Sequence, residues 1–383
     1  MRNRYRRPAP GLFVLVVAAM ITSGRFMGEH AWGAAGPEFV PGAVWCDTEG
    51  KPINAHGGGV LLHDGVYYWY GECKRGKTFL PDCNQSWGGT RVDLVGVSCY
   101  SSTNLYAWKN EGIVLPAVPG DPQSDLYPGN VLERPKVVFN RAQGKFVMWM
   151  HIDTADYAAA RCGVAVSDRP VGPFKYVGSF RPDAGVWPEN VTASDRTPGP
   201  TNVLARDFER GQMARDFTIF VDDDARAYLF YSSEENPTMH VSLLTDDYLR
   251  PAGKYDRIFI GRSMEAPAVF KQGGRYYLIA SDCTAWAPNA ARCAVADNIF
   301  GPWTELGNPC AGPDATNTFH AQSTFVLPIQ GQTNAFIFMA DRWNQWHLPD
   351  SHYVWLPLTF AADGRPTLTW QKRWSLDVFA GLK

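Results

Sequence analysis

The chain has 383 residues and a formal net charge of −2, so it is long enough for one large domain or two medium ones. This charge balance excludes the strongly basic surface that holds nucleic acid or an anionic membrane, and a neutral polymer is the more compatible partner. Aromatic residues are abundant, with 14 Trp, 16 Tyr and 21 Phe. They predict an aromatic core together with a groove that stacks on the apolar faces of sugar rings.

The N-terminus predicts a secretory signal over residues 1–35. Arginine occupies four of the first seven positions, an uncharged apolar run follows at residues 12–21, and Gly33, Ala34 and Ala35 offer a cleavage site. The run is short for a bilayer span, which takes about 20 residues, although an uncleaved anchor is the alternative. We therefore expect a mature domain over residues 36–383 that is secreted or periplasmic and makes no membrane contact after cleavage.

The eight cysteines all follow this segment, and an even number in an exported chain suggests disulfides. Two pairs, Cys73–Cys83 and Cys283–Cys293, are close enough in sequence to close local loops. We expect at least two disulfides, with these pairs as the first candidates. A zinc site is the weaker interpretation, because neither a CxxC motif nor a paired histidine spacing accompanies the cysteines.

Five copies of one hairpin pattern follow along the chain. Each copy is an apolar strand, a polar turn containing Gly, Asp or Asn, and a second apolar or aromatic strand. The copies cover residues 59–72, 136–151, 218–233, 268–281 and 324–341. No sustained helical periodicity accompanies them. They predict an all-β chain that forms one five-bladed β-propeller, with a β-sandwich as the alternative.

A polar residue stands just before or at the start of each first strand. Because the first strand of a propeller blade lines the central channel, these residues are expected to meet at one mouth of that channel. They are His56, Glu133, Asp216, Glu265 and Gln322. Crowded carboxylates raise at least one pKa, which suits a general acid that protonates the leaving oxygen of a glycosidic bond. The alternative is a polar ring that only forms hydrogen bonds.

Nine short segments carry a family resemblance when they are taken in order. They are AHGGG from Ala55, WYGE from Trp69, VSCYSSTNL from Val97, ERPKVVFN from Glu133, DYAAA from Asp156, Arg215-Asp216, EAP from Glu265, WAP from Trp286 and DRW from Asp341. Together they resemble glycoside hydrolase family 43, five-bladed propeller enzymes that act with inversion, and most closely its exo-β-1,3-galactanase branch. The resemblance runs from Trp45 to Trp374, nearly all of the mature chain.

The resemblance implies roles for the residues at the channel mouth. Glu265 is the expected general acid, and Asp216 is expected to hold its pKa and orientation. The usual general base of the family, an Asp opening the first blade, is replaced here by Ala55-His56. The galactanase branch shares this departure, and there a Gln opening the fifth blade handles the attacking water, which is the position of Gln322. Glu133 is the alternative group for activating that water.

The resemblance also implies the substrate contacts. Glu133, Glu72 and Tyr157 are expected to bind galactose hydroxyls. His56 and the aromatic or basic residues of the WAP and DRW segments complete the expected set, namely Trp286, Arg342 and Trp343. The expected partner is a plant-type galactan or arabinogalactan polysaccharide.

Other activities fit the same fold. Similar propellers release α-L-arabinofuranose or β-xylose, and a propeller without the first-blade Asp is compatible with sugar binding alone. No cofactor is predicted. The acidic run at residues 222–224 is best explained as a solvated hairpin turn rather than a calcium site. Some family members hold a calcium ion in the channel, but no metal is predicted here.

Overall fold

The protein is described by a computed structural model that covers residues 37–83 and 88–381. The predicted signal segment at residues 1–35 lies outside this part of the chain. Within the described residues, no helix combines the length and the hydropathy needed to cross a membrane.

Five antiparallel sheets make up almost all of the regular structure, which confirms the predicted all-β, five-bladed β-propeller. Strands are numbered here in chain order. Blade 1 contains β1 (His56–His63), β2 (Val66–Glu72), β5 (Gly96–Ser102) and β6 (Lys109–Pro116), and a short ribbon of β3 (Thr78–Phe79) and β4 (Arg91–Val92) precedes its third strand. Blade 2 contains β7 (Val131–Asn140), β8 (Lys145–Asp153), β9 (Arg161–Ser167) and β10 (Lys175–Phe180).

The remaining blades repeat this order. Blade 3 contains β11 (Phe217–Val221), β12 (Ala227–Ser233), β13 (Thr238–Leu244) and β14 (Pro251–Ile258). Blade 4 contains β15 (Met264–Gln272), β16 (Arg275–Asp282), β17 (Arg292–Ala296) and β18 (Thr304–Gly307). Blade 5 contains β20 (Gln322–Pro328), β21 (Phe336–Arg342), β22 (His352–Phe360) and β23 (Pro366–Thr369), and β19 (Cys310–Ala311) pairs in parallel with β23.

Helical turns are few and short in the described residues. They are α1 (Val203–Arg206) and three 3₁₀ turns at Ala315–His320, Leu348–Asp350 and Leu376–Phe379. The first three lie in connections between strands and the last follows β23, so the strands alone position the channel.

The innermost strands β1, β7, β11, β15 and β20 are neighbours around the central channel and close into a ring. The N-terminal segment is tied to the C-terminal one by a bridge in which the Phe39 amide donates to the Trp374 carbonyl at 2.7 Å and the Trp374 amide donates back at 3.1 Å. The Phe39 and Trp374 rings also stack, with centroids 4.2 Å apart. This closure holds the last blade against the first.

Apolar side chains fill the interfaces between adjacent blades, with one core cluster at each of the five interfaces. The cluster between blades 1 and 5 is the most aromatic and contains Trp69, Trp108 and Trp355, all fully buried. Because strand residues alternate between the two faces of a sheet, each blade buries both faces against its neighbours. This packing fixes the inner strands and therefore the channel mouth.

The channel mouth is shaped by β-bulges at the start of three inner strands. Pairing register shifts after His56, Glu133 and Glu265. The residue after each has a left-handed φ, with +62° at Gly57 and +53° at both Arg134 and Ala266. A bulge re-aims a side chain and is frequent beside active sites. The two Glu-x-Pro segments of the sequence are therefore bulges that turn a carboxyl group toward the channel mouth.

All eight cysteines lie among the described residues, and all are free. The predicted pairs Cys73–Cys83 and Cys283–Cys293 are not formed. Cys293 is buried in the core between blades 4 and 5, whereas Cys283 lies at the channel mouth and contacts Glu265. Cys73 is likewise buried while Cys83 is exposed. Closeness in sequence did not place either pair together, because the two members of each pair lie in different environments.

Candidate active site

A single pocket at the channel mouth collects most of the predicted site residues. It encloses about 280 Å³ of space that water can occupy. Its lining contains eight predicted residues: Glu72, Glu133, Tyr157, Asp216, Glu265, Trp286, Gln322 and Trp343. It also contains residues that the sequence analysis did not place in the site, namely Arg134, His151, Arg215, Asn236, Cys283 and Ala285. The expectation that polar residues at the start of the first strands meet at the channel mouth therefore located the site. The chemical roles of these residues stay predictions.

Glu265 and Asp216 lie side by side in this pocket. The backbone amide of Ala266, the residue after Glu265, donates to Asp216 Oδ2 at 3.1 Å. Burial and the neighbouring charge of Asp216 raise the pKa of Glu265 to about 7. A carboxyl group with this pKa keeps a proton that it can donate near neutral pH, which is the property that a general acid needs.

Arg134 connects the carboxyl pair to Gln322. Its Nη2 lies 2.8 Å from Asp216 Oδ2 and donates to Gln322 Oε1 at 2.6 Å, while Nη1 donates to the Ser323 carbonyl at 3.1 Å. The guanidinium is buried, so these contacts replace its lost hydration. Arg134 therefore fixes both the third-blade carboxylate and the fifth-blade amide.

The Gln322 side chain is held in one amide orientation. Its Oε1 accepts from Arg134 and, at 3.0 Å, from the Trp343 indole, and its Nε2 donates to Ser281 Oγ at 3.0 Å. Both donors at Oε1 exclude the flipped amide. One Nε2 hydrogen remains after these bonds are counted, because an amide nitrogen carries two.

Glu133 is held as a carboxylate. Tyr157 donates to its Oε1 at 2.8 Å, and His151 Nδ1 lies 3.4 Å from its Oε2. Burial opposes ionisation, but His151 and the charge of Lys74 outweigh it and lower the pKa of Glu133 to about 2. Although burial alone lowers the pKa of His151, its contacts with Asp153 and Glu133 raise it to about 9, so the imidazole is protonated at neutral pH. Glu133 is thus a hydrogen-bond acceptor and a weak base.

The remaining carboxyl group of the pocket, Glu72, pairs with Lys74 at 2.6 Å. Burial raises the pKa of Glu72, and the ammonium of Lys74 opposes that shift. The same ammonium lies over the rings of Trp286 and Trp343, 5.3 and 5.8 Å from their centroids. Those two indoles pack edge to face, with centroids 5.1 Å apart. They give the pocket an aromatic wall of the kind that packs against sugar rings.

The structure does not bring His56 and Arg342 into the pocket lining, so the pocket gives their predicted substrate contact no support and that contact stays a prediction. His56 is fully buried, with Nδ1 3.2 Å from Asp341 Oδ1 and its ring stacked on Tyr353. Its cross-strand partner Glu72 faces the pocket instead. Arg342 donates to the Phe319 carbonyl at 2.7 Å, and its guanidinium lies 5.3 Å from the Trp370 ring centroid.

Strand register identifies two of the residues at the site that the sequence analysis missed. His151 pairs with Glu133 in the β7–β8 hairpin, and Ser281 pairs with Glu265 in the β15–β16 hairpin. In a regular hairpin, the partner of the opening residue could be found by counting the same number of residues on each side of the turn. The bulge adds residues to the inner strand, so this count gives the wrong partner. Asn236 lies in the turn after β12, where the sequence carries no such signal.

Three groups at the pocket lie close enough to share a metal ion. Ligand atoms of Glu133, His151 and Asp216 fall within 4.8 Å of one another. In the structure, His151 instead contacts Glu133 and Asp153, and Asp216 Oδ2 contacts Arg134. The predicted lack of a metal stays a prediction.

Comparison with known proteins identifies the family. The profile of the glycosyl hydrolases family 43 matches residues 63–366. A solved GH43 β-1,3-galactosidase with galactodeoxynojirimycin is 44% identical, with a TM-score of 0.80 over 88% of this chain and 100% of that chain. No curated protein sequence matches the chain.

Two exo-β-1,3-galactanases are also similar in structure. The enzyme from Phanerochaete chrysosporium, solved with β-1,3-galactotriose, is 34% identical, with a TM-score of 0.73 over 90% of this chain and 69% of that chain. The enzyme from Clostridium thermocellum is 36% identical, with a TM-score of 0.72 over 88% of this chain and 66% of that chain. The profile match and these structures show that the chain belongs to glycoside hydrolase family 43.

Proposed function

We propose that this glycoside hydrolase is secreted and releases galactose, with inversion, from the non-reducing end of β-1,3-galactan such as the backbone of arabinogalactan. The observation that carries the proposal is Glu265, a half-buried acid whose pKa is raised to about 7 beside Asp216 in a small pocket. Similarity to solved β-1,3-galactosidases and exo-β-1,3-galactanases supports galactan as the substrate class. Secretion rests on the pattern of residues 1–35.

The size of the pocket supports exo action. Its volume of about 280 Å³ lies just below the usual range for ligand sites, about 300–1,000 Å³. The side chains of five blades surround it, so it accepts the terminal ring of a chain rather than an internal one. Glu133 and Tyr157 bind hydroxyl groups, and the Trp286 and Trp343 indoles pack against the ring.

In the proposed reaction, the proton of Glu265 moves to the glycosidic oxygen as the bond from that oxygen to the anomeric carbon breaks. Water adds to the opposite face of the anomeric carbon and loses a proton to solvent. Glu265 takes up a proton from solvent before the next cycle. Gln322 orients this water through its remaining Nε2 hydrogen, because its Oε1 is already engaged by Arg134 and Trp343. The transition state of glycoside hydrolysis resembles an oxocarbenium ion, and the acid protonates the leaving oxygen.

A substrate panel tests the assignment. The mature protein is incubated with β-1,3-galactan, arabinan, xylan and aryl glycosides, and the released sugar is identified by chromatography. Galactose from β-1,3-galactan is the expected product, with little or no release from the other polymers. Arabinose or xylose as the main product would reassign the substrate. Binding of galactan without release of any sugar would instead indicate a propeller that only binds.

A further inference from the structure

The turn between β12 and β13 holds three consecutive residues in the left-handed backbone region. The φ values are +53° at Glu234, +61° at Glu235 and +70° at Asn236. Residues other than glycine rarely adopt this conformation, and Asn tolerates it better than most. Three such residues in a row persist only where the surroundings enforce them, and strain of this kind gathers at functional sites.

A buried ion cluster enforces the turn. The Glu234 carboxylate accepts from Arg257 Nε at 2.6 Å and from Arg257 Nη2 at 2.8 Å, and it lies 2.9 Å from His240 Nε2. All three residues are buried. A bidentate arginine pair is directional as well as strong. The cluster therefore fixes where the next residues of the turn project.

The turn delivers the Asn236 amide to the acid. Asn236 Nδ2 donates to Glu265 Oε1 at 2.9 Å, and the opposite end of the same amide, Oδ1, accepts from Arg215 Nη1 at 3.2 Å. Because a guanidinium only donates, Arg215 excludes the flipped amide. A second donor reaches the same carboxyl oxygen, since Cys283 Sγ lies 3.1 Å from Glu265 Oε1.

Asn236 and Cys283 both donate to the same carboxyl oxygen of Glu265, Oε1. A protonated carboxyl group has one oxygen that bears the hydrogen and one that only accepts. Two donors at Oε1 make it the accepting oxygen, and among the described residues no hydrogen bond reaches Oε2. We propose that Asn236, together with Cys283, is a positioning pair that keeps the transferable proton of Glu265 on Oε2, where it is available to the glycosidic oxygen. This inference rests on the proposed role of Glu265 as the acid.

The pair also serves the step after proton transfer. When the proton leaves Oε2, Glu265 becomes a carboxylate, and both donors at Oε1 then stabilise the new negative charge. Hydrogen bonds to the charged form lower a carboxyl pKa. Removing a donor should therefore slow proton donation by Glu265 and also raise its pKa. A variant that is merely less well folded would not show these two effects together.

The test compares Asn236→Ala, Cys283→Ala and Cys283→Ser with the wild type across pH. In the wild type, kcat/KM is expected to fall as pH rises through about 7, because Glu265 must be protonated. In Asn236→Ala and Cys283→Ala, kcat should fall by about 10-fold to 10²-fold, the scale of a misplaced catalytic group. The falling limb should move to higher pH. Cys283→Ser keeps a donor, so its pH limb should stay near that of the wild type.

Leaving-group dependence separates positioning from general damage. The loss in Asn236→Ala and Cys283→Ala should be large for a sugar leaving group and small for a dinitrophenyl leaving group, which departs with little protonation. Cys46→Ala, at an exposed cysteine outside the pocket lining, should keep wild-type kinetics. Equal losses on both substrates with an unmoved pH limb, or wild-type kinetics in both alanine variants, would overturn the proposal.

The outcome is distinct from the test of substrate. The kinetic comparison uses whichever glycosides the panel shows to be hydrolysed. Failure to release galactose from galactan would therefore contradict the proposed substrate and leave the positioning pair open to its own test. An unmoved pH limb on a hydrolysed substrate with a sugar leaving group removes only the positioning pair.

Discussion

Replacing Glu265 by Gln is expected to lower kcat on galactan by at least about 10²-fold to 10⁴-fold, the usual contribution of a general acid. The amide keeps the shape of the carboxyl group and can still accept hydrogen bonds from Asn236 and Cys283 at one oxygen. It has no proton to give to the glycosidic oxygen. Steady-state kinetics measures the loss, and calorimetric titration with a β-1,3-galactan oligosaccharide should show that binding survives.

Glu209→Gln is the matched control, because it makes the same chemical change at an exposed residue outside the pocket lining. Its kcat should equal that of the wild type. A Glu265→Gln variant with normal turnover would mean that another group protonates the leaving oxygen. Loss of both turnover and binding in Glu265→Gln would point instead to a collapsed pocket.

Replacing Arg134 by Met is expected to cost about 3–5 kcal/mol of unfolding free energy. Arg134 and Asp216 are both buried, and their ion pair spans 2.8 Å. Removing one partner leaves an uncompensated charge in a medium that solvates it poorly, which is far more costly than losing the attraction itself. Chemical denaturation at pH 7 measures the change. Combining Arg134→Met with Asp216→Asn should recover part of the loss, because the stranded charge is then gone.

Arg275→Met provides the control, since the Arg275–Asp297 pair also spans 2.8 Å but its carboxylate is 85% exposed. An exposed pair contributes less than about 1 kcal/mol, so this variant should be almost as stable as the wild type. Similar small losses of unfolding free energy in Arg134→Met and Arg275→Met would show that Arg134 is not needed to compensate the buried charge of Asp216. That result would contradict the electrostatic role given to Arg134 in the pocket.

The number of blades was predictable because it depends only on a local pattern. A hairpin with a period of two and a polar turn is recognisable in each repeat, so the five copies can be counted directly from the sequence. The residues at the start of each first strand were also predictable. Their position follows from the rule that the first strand lines the channel, which is why Glu133, Asp216, Glu265 and Gln322 meet in one pocket.

What could not be predicted depends on register and on contacts between blades. His56 opens the first blade as expected, but its side chain forms a hydrogen bond with Asp341 of the fifth blade. Glu72 faces the pocket instead. Arg134 was visible in the sequence only as the middle of a Glu-x-Pro segment. Its role appears once the bulge turns it toward Asp216 and Gln322.

The cysteines show the same limit. Cys283 and Cys293 are ten positions apart, but β17 carries Cys293 into the core while Cys283 stays at the pocket. Disulfide formation needs Cα atoms within about 7 Å and suitably directed side chains, neither of which sequence spacing determines. Asn236 is similar, because the long-range cluster of Glu234 and Arg257 sets its position.

Proton NMR of the first product from β-1,3-galactan reports directly on the proposed inverting release of galactose. We expect galactose to appear first as the α-anomer, because water attacks the anomeric carbon from the face opposite to Glu265, and the β-anomer to form only through mutarotation. The spectrum reports the sugar and the stereochemistry together. Galactose released first as the β-anomer would contradict inversion, and a first product other than galactose would contradict the proposed substrate.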